Sequence, residues 1–157
     1  MAKETSSERF RRALIARGFG CELVELPQSA RTAPQAATAV GCNVAQIAKS
    51  LVFRGRHTGR PVLVIASGAN RVNETILAQL VAEPVEKADA DFTRRHTGYA
   101  IGGIPPTCHV EPLQTFLDAD LLQYPEIWAA AGTPHAVFRL TPDDLRNMTA
   151  GTVAAIS

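Results

Sequence analysis

Lys49 is the first residue whose chemistry conflicts with its setting. It sits in Ile47-Ala48-Lys49-Ser50-Leu51-Val52-Phe53, in a chain of 157 residues with three lysines and thirteen arginines. Read as a strand, the period-two alternation puts Lys49 on the face of Ile47, Leu51 and Phe53. That face is expected to be the buried one, where an unpaired ammonium is costly. Two readings resolve the conflict. Either Lys49 lines a pocket and meets a phosphate or carbonyl, or it lies at a strand end and carries its charge out to water.

Gly102-Gly103-Ile104-Pro105-Pro106 is the second candidate. Adjacent glycines let a ligand approach main-chain N–H groups, and the prolines stiffen the turn while offering no N–H of their own. Such a loop can aim fixed amides at a developing oxyanion without a catalytic side chain; an ordinary tight turn is the competing reading. Ser67-Gly68-Ala69-Asn70-Arg71 follows an apolar strand, a common place for ligand contacts, although a plain strand-to-helix connection reads equally well. His135, in Gly132-Thr133-Pro134-His135, could bind substrate or move a proton. His109 follows the Gly-Gly turn and reads better as structural, while His57 lies in a hairpin loop. No serine occupies a G-x-S-x-G elbow, so a Ser-His-Asp esterase is not expected. Cys108 and His109 are adjacent, and adjacent side chains rarely face each other, which argues against a thiol nucleophile.

The elements that must place these residues follow from local signals. Thr5-x-x-Glu8 is a capping box, with Phe10, Leu14 and Ile15 at helical spacing and a stop at Gly18. Cys21–Leu26 reads as a strand. Thr32 caps a helix through Ala39, with Gly41 as its stop, and residues 43–47 form one more turn. Strands Ala48–Arg54 and Pro61–Ser67 form a hairpin. Asn73 starts a helix carrying Ile76, Leu77 and Leu80, and Asp89 or Asp91 caps another that ends near Gly98. Tyr99–Gly102 and Leu113–Asp118 read as strands and Pro125–Ala131 as a helix. Ala136–Leu140 is a strand, Thr141-Pro142-Asp143-Asp144 starts a last helix, and Thr152–Ile156 is a final strand. Strands and helices mix without strict alternation. The expected fold is therefore one α/β domain over residues 1–157, with a mixed, largely antiparallel curved sheet and flanking helices.

Composition bounds the function. The hydrophobic fraction is 46% and the charged fraction 20%, as in an ordinary globule. Cys21, Cys42 and Cys108 are odd in number and lack metal-ligand spacing, so a reduced, cytoplasmic setting without metal is expected. Met1 to Gly20 carries charges throughout and has no apolar core of a signal peptide. The longest apolar run, Pro61 to Ala66, is too short to span a bilayer. Neither G-x-G-x-x-G nor G-x-x-x-x-G-K-[ST] occurs, which argues against dinucleotide and P-loop chemistry, and no cofactor is expected. Residues 1–71 hold 11 Lys/Arg against 4 Asp/Glu, whereas residues 72–157 hold 5 against 11. This split either presents a basic face to a polyanion such as RNA or disperses once the chain folds.

In order and spacing, Gln46 to Phe53, Val62 to Arg71 and Gly98 to Pro106 resemble the YbaK/prolyl-tRNA-synthetase-associated domain family. Lys49 matches its strand lysine, and Gly102 with Pro106 matches its G-x-x-x-P. The segment Gly132 to Phe138 looks like that of the free-standing ProX-type members. The likeness runs from about Thr32 to the C-terminus. It implies a pocket for the tRNA 3′ end and hydrolysis of an aminoacyl ester, with no metal and no covalent enzyme intermediate. Lys49 would hold the CCA end and Gly102 would position the carbonyl. Thr32, Ser67, Gly68, Asn70, Gly103, Ile104, Pro106 and His135 would bind substrate. The implied partners are aminoacyl-tRNA, through its CCA end and acceptor stem, and an aminoacyl-tRNA synthetase; neither DNA nor a membrane is expected. The alternative is a noncatalytic tRNA- or small-ligand-binding module on the same fold. Thr107-Cys108-His109 is not a general feature of the family.

Overall fold

The computed structural model describes residues 3–157. Thr5 opens α1 (Ser6–Ala16): its hydroxyl accepts from the Glu8 N–H while its own N–H donates to the Glu8 carboxylate. Phe10 and Leu14 form the buried face. β1 (Leu23–Glu25) precedes α2 (Ala33–Val40), which Thr32 and Gln35 start by the same reciprocal cap. A single 3-10 turn then feeds β2 (Ile47–Gly55), and a hairpin returns as β3 (Pro61–Ser67). Next come α3 (Glu74–Val81), β4 (Val85–Lys87), α4 (Ala90–Thr97) and β5 (Gln114–Asp118). The chain ends with β6 (Ile127–Ala130), β7 (Ala136–Leu140), α5 (Pro142–Thr149) and β8 (Thr152–Ala154).

The eight strands form one mixed sheet in the order β1-β7-β6-β2-β3-β5-β8, with β4 attached to β2. The longest register, β2 with β3, is antiparallel, as are β1–β7, β6–β7 and β2–β4. β2–β6, β3–β5 and β5–β8 are parallel. Helices cover both faces, so β3 is buried along almost its whole length and reads as a continuous apolar run. On one face Val52, Leu63, Ile65 and Leu117 pack with Phe10 and Leu14 of α1 and Leu145 and Met148 of α5. On the other, Phe53, Val62, Val64 and Phe116 pack with Leu77 of α3. Ile47 joins a third cluster with Ala36 and Ala37 of α2.

Two local expectations are corrected, and one strand had no assignment. Pro125–Ala131 is not a helix. Ile127–Ala130 pairs parallel to β2 and antiparallel to β7, and tertiary pairing outweighs the local preference of an alanine pair. Tyr99–Gly102 is not a strand, because Gly102 turns at φ +90 and the Gly103 N–H closes back on the Ala100 carbonyl. Val85–Lys87, unassigned from sequence, is a strand of three residues, too short to carry a periodic signal.

Candidate functional site

The sheet has a hole in it. β3 holds one edge of β2 over residues 48–54, so β6 and β4 share the other. β6 pairs with Ile47 and Ala48, and β4 pairs with Phe53, Arg54 and Gly55. Among the described residues, Lys49, Ser50, Leu51 and Val52 have no strand partner on that edge. A cleft of about 330 Å³ opens there, within the range of small-ligand sites. Arg31, Thr32 and Ala33 at the start of α2 form one rim, and Gly68 lies at the end of β3. Ile101, Gly102 and Ile104 face them from the turn after α4, and Trp128 to Ala130 of β6 complete the wall with Thr133.

Lys49 lies half-buried on the face between the cluster around Ile47 and the one around Leu51 and Phe53. Burial pushes its pKa below the usual lysine value. The Asp118 carboxylate opposes that shift, and Lys87 adds to it. No hydrogen bond or ion pair inside the described residues uses the ammonium. A partly desolvated, unpartnered ammonium at a cleft favours an anionic or carbonyl oxygen.

Asp118 went unnoticed in the sequence. It is 1% exposed and ends β5. Its Oδ2 accepts from the Ser67 N–H and from Asn70 Nδ2, both at 2.9 Å, and its Oδ1 accepts from the Asp120 N–H. It thus knots the ends of β3 and β5 behind the cleft. The only sequence signal was an acid terminating an apolar strand.

The predicted residues divide by placement. Lys49, Thr32, Gly68, Gly102 and Ile104 line one cleft. Ser67 is buried behind it, its hydroxyl donating to the Ala45 carbonyl. Asn70 is held by Asp118 and Asp120. Gly103 and Pro106 are buried under the turn, and the ring of His135 lies exposed outside the cleft, with Thr133 in its place. The Thr32 hydroxyl is engaged in capping α2. Gly68 is needed because a Cβ there would stand 2.3 Å from the Val44 carbonyl oxygen. Among the turn's amides, Gly103 is satisfied by Ala100, whereas no bond within the described residues uses the Gly102 or Ile104 N–H.

Thr107 and His109 fix that turn. Pro105 and Pro106 have no N–H with which to tie it. His109 Nε2 meets the Pro105 carbonyl at 2.7 Å, Thr107 Oγ1 donates to the Met148 carbonyl, and Arg17 donates to Thr107. Burial pushes the His109 imidazole below its ordinary value; Arg17 acts in the same direction, and the Pro105 bond opposes both. The unfolded chain therefore takes up this proton before the folded one does, so stability is lost as pH falls below the ordinary histidine value. His109→Gln keeps an N–H donor but does not titrate. Thermal midpoints measured between about pH 7 and about pH 5 are expected to fall less steeply in the variant. Parallel slopes would remove His109 from the acid response.

Among the described residues, no three His, Cys, Asp or Glu side chains gather as a metal site, and no helix is long and apolar enough to cross a membrane. A family model described as an aminoacyl-tRNA editing domain matches residues 27–148. The uncharacterized protein YwhH of Bacillus subtilis (strain 168) is 27% identical over 124 residues, 79% of this chain and 78% of that protein. The proline–tRNA ligase of Limosilactobacillus fermentum is 32% identical over 96 residues, 59% of this chain and 17% of the ligase. A crystal structure of a proposed trans-editing enzyme for prolyl tRNA synthetase superposes with a TM-score of 0.92 at 48% identity, covering 99% of each chain.

Proposed function

Since the chain belongs to the aminoacyl-tRNA editing domain family, we propose that it hydrolyses the ester of mischarged aminoacyl-tRNA, acting in trans. One observation carries the reading: a lysine without a partner among the described residues and a glycine turn with unused amides line the same cleft at an opening in the sheet. The CCA end enters from the Arg31–Thr32 rim. Lys49 holds a phosphate or the terminal adenosine, and the Gly102 and Ile104 N–H groups receive the ester carbonyl oxygen. Water, oriented by the free hydroxyl of the terminal ribose, adds to the carbonyl carbon. The bond from that carbon to the ribose oxygen then breaks, and the ribose oxygen takes a proton. Free amino acid and intact tRNA leave. The ligase and the trans-editing structure support a link with prolyl-tRNA synthetase, and the reading places the work in the cytoplasm, where charged tRNA is made.

The test is deacylation of a panel of mischarged tRNAs at substrate below saturation. Release of one or more amino acids well above the spontaneous rate is expected. Tight binding with no release would favour the noncatalytic module instead.

The arginines of the N-terminal half are not all free for RNA. Arg12 pairs with Glu4, Arg9 donates to the Gly98 carbonyl and lies over Tyr99, and Arg17 is held by Thr107. Arg31 is exposed at the rim beside Gly102 and makes no ion pair among the described residues. Affinity for uncharged tRNA should fall as salt rises, since each neutralised phosphate releases counterion. Arg31→Ala should reduce the slope of log affinity against log salt by about one. A flat response in the parent protein would separate the basic half from RNA binding.

A further inference from the structure

Ser50 Oγ is the one buried side-chain oxygen or nitrogen without a hydrogen-bond partner among the described residues. It belongs to the cleft lining and to the stretch of β2 that lacks a strand partner. The Val52 carbonyl points to that same edge, where it accepts from the Ala88 N–H. Alternation along the strand puts the Ser50 N–H and carbonyl there as well. The N–H and carbonyl of this residue therefore meet the opening, and its buried, unpaired hydroxyl lies on the same residue of the cleft lining. A buried hydroxyl left unpaired destabilises the fold, so its presence calls for an explanation, and an absent ligand supplies one.

Resting on the deacylase reading above, we infer that Ser50 forms the subsite for the free α-ammonium of the aminoacyl group. The substrate class is thereby narrowed to aminoacyl-tRNA with an unblocked amino group. The ammonium lies one carbon from the ester carbonyl, so a carbonyl directed at the Gly102 turn carries it along the same cleft. It is the strong donor of the aminoacyl group, and the Ser50 carbonyl and hydroxyl oxygens are acceptors. Lys49 does not compete, because alternation sends its side chain to the opposite face of β2. An Nα-acyl group removes the charge and two of the donors and adds bulk beside Ala129 and Ala130, which line the same wall. Peptidyl-tRNA and other N-acylated forms are thus rejected by the same atoms that accept a free amine.

The experiment uses 3′-aminoacylamino-3′-deoxyadenosine, whose amide replaces the ester, carrying alanine, serine or cysteine in free and Nα-acetyl forms. Calorimetry should give at least about tenfold tighter binding of the free form for one or more of these, by analogy with sites that must pair buried polar groups. Ser50→Ala should lose most of that preference. Its thermal midpoint should equal or exceed that of the parent protein, because an unpaired hydroxyl has been removed. Equal affinity for the two forms, binding by neither, or an unchanged preference in Ser50→Ala would overturn the subsite. A lowered midpoint in Ser50→Ala would do so too, by showing that the hydroxyl already serves the fold. None of these readings needs turnover, so failure of deacylation and failure of the subsite are distinguishable.

Discussion

Lys49→Ala is expected to lower kcat/KM for deacylation by at least about a hundredfold, the scale of losing a charged partner in a partly desolvated site. The thermal midpoint should hold or rise. The ammonium is half-buried and no described residue pairs with it, so the folded protein carries its desolvation without a compensating bond. Removing it relieves that cost, whereas a lysine kept for the fold would leave a destabilised variant. Lys49→Arg should fail as well. A planar guanidinium is larger than an ammonium and presents its donors in a fixed fork, which does not suit an opening only four strand residues long. Lys49→Met keeps the stem and removes the charge; it should behave like the alanine variant if charge is what matters. These variants are compared by single-turnover rates with mischarged tRNA below saturation, alongside circular dichroism. Near-normal turnover in Lys49→Ala would remove the lysine from the site.

The conflict at Lys49 was legible in the sequence because alternation in a long strand is a local property. So were the three caps at Thr5, Thr32 and Thr141, where a hydroxyl and an acid or amide three residues later satisfy each other across one turn. The opening beside Lys49 was not legible. It exists because β6 leaves β2 after Ala48 and β4 arrives only at Phe53, and both partners come from distant parts of the chain. β6 itself was hidden, since Ile127-Trp128-Ala129-Ala130 is short and its alanines prefer a helix until two neighbouring strands claim them. Ser67 and Asn70 sit next to the cleft in sequence, yet their polar atoms turn back to Asp118. A polar turn at a strand end does not reveal whether it faces a ligand or a buried carboxylate. Thr107 and His109, set aside as departures from a family pattern, hold the turn through two carbonyls that only the folded chain brings near.

Gly102→Ala should cut turnover by a factor on the order of a hundred to a thousand, the usual result of misplacing one oxyanion donor. Two structural facts set the direction. Gly102 sits at φ +90, a conformation that L-residues other than glycine rarely adopt, and a Cβ there would stand 3.1 Å from Arg31 Cγ and 3.3 Å from its Cβ. The turn must therefore rotate or Arg31 must move, and either shift re-aims the two unused amides at 102 and 104. The strain is worth about 1–2 kcal/mol, so a modest fall in thermal midpoint should accompany the loss of rate without unfolding the protein. The loss should appear mainly in kcat, because fixed amides act on the developing oxyanion more than on the bound ester. Cys108→Ala is the companion variant. Cys108 is half-buried in the same turn, and turnover should change little when its thiol is removed, since in the proposed mechanism water and not sulfur attacks the carbonyl. Rapid-quench sampling of the parent protein during a single turnover should find free amino acid with no aminoacyl group on the protein. An aminoacyl adduct trapped on Cys108 or on any serine would overturn this mechanism, even with the deacylase assignment intact.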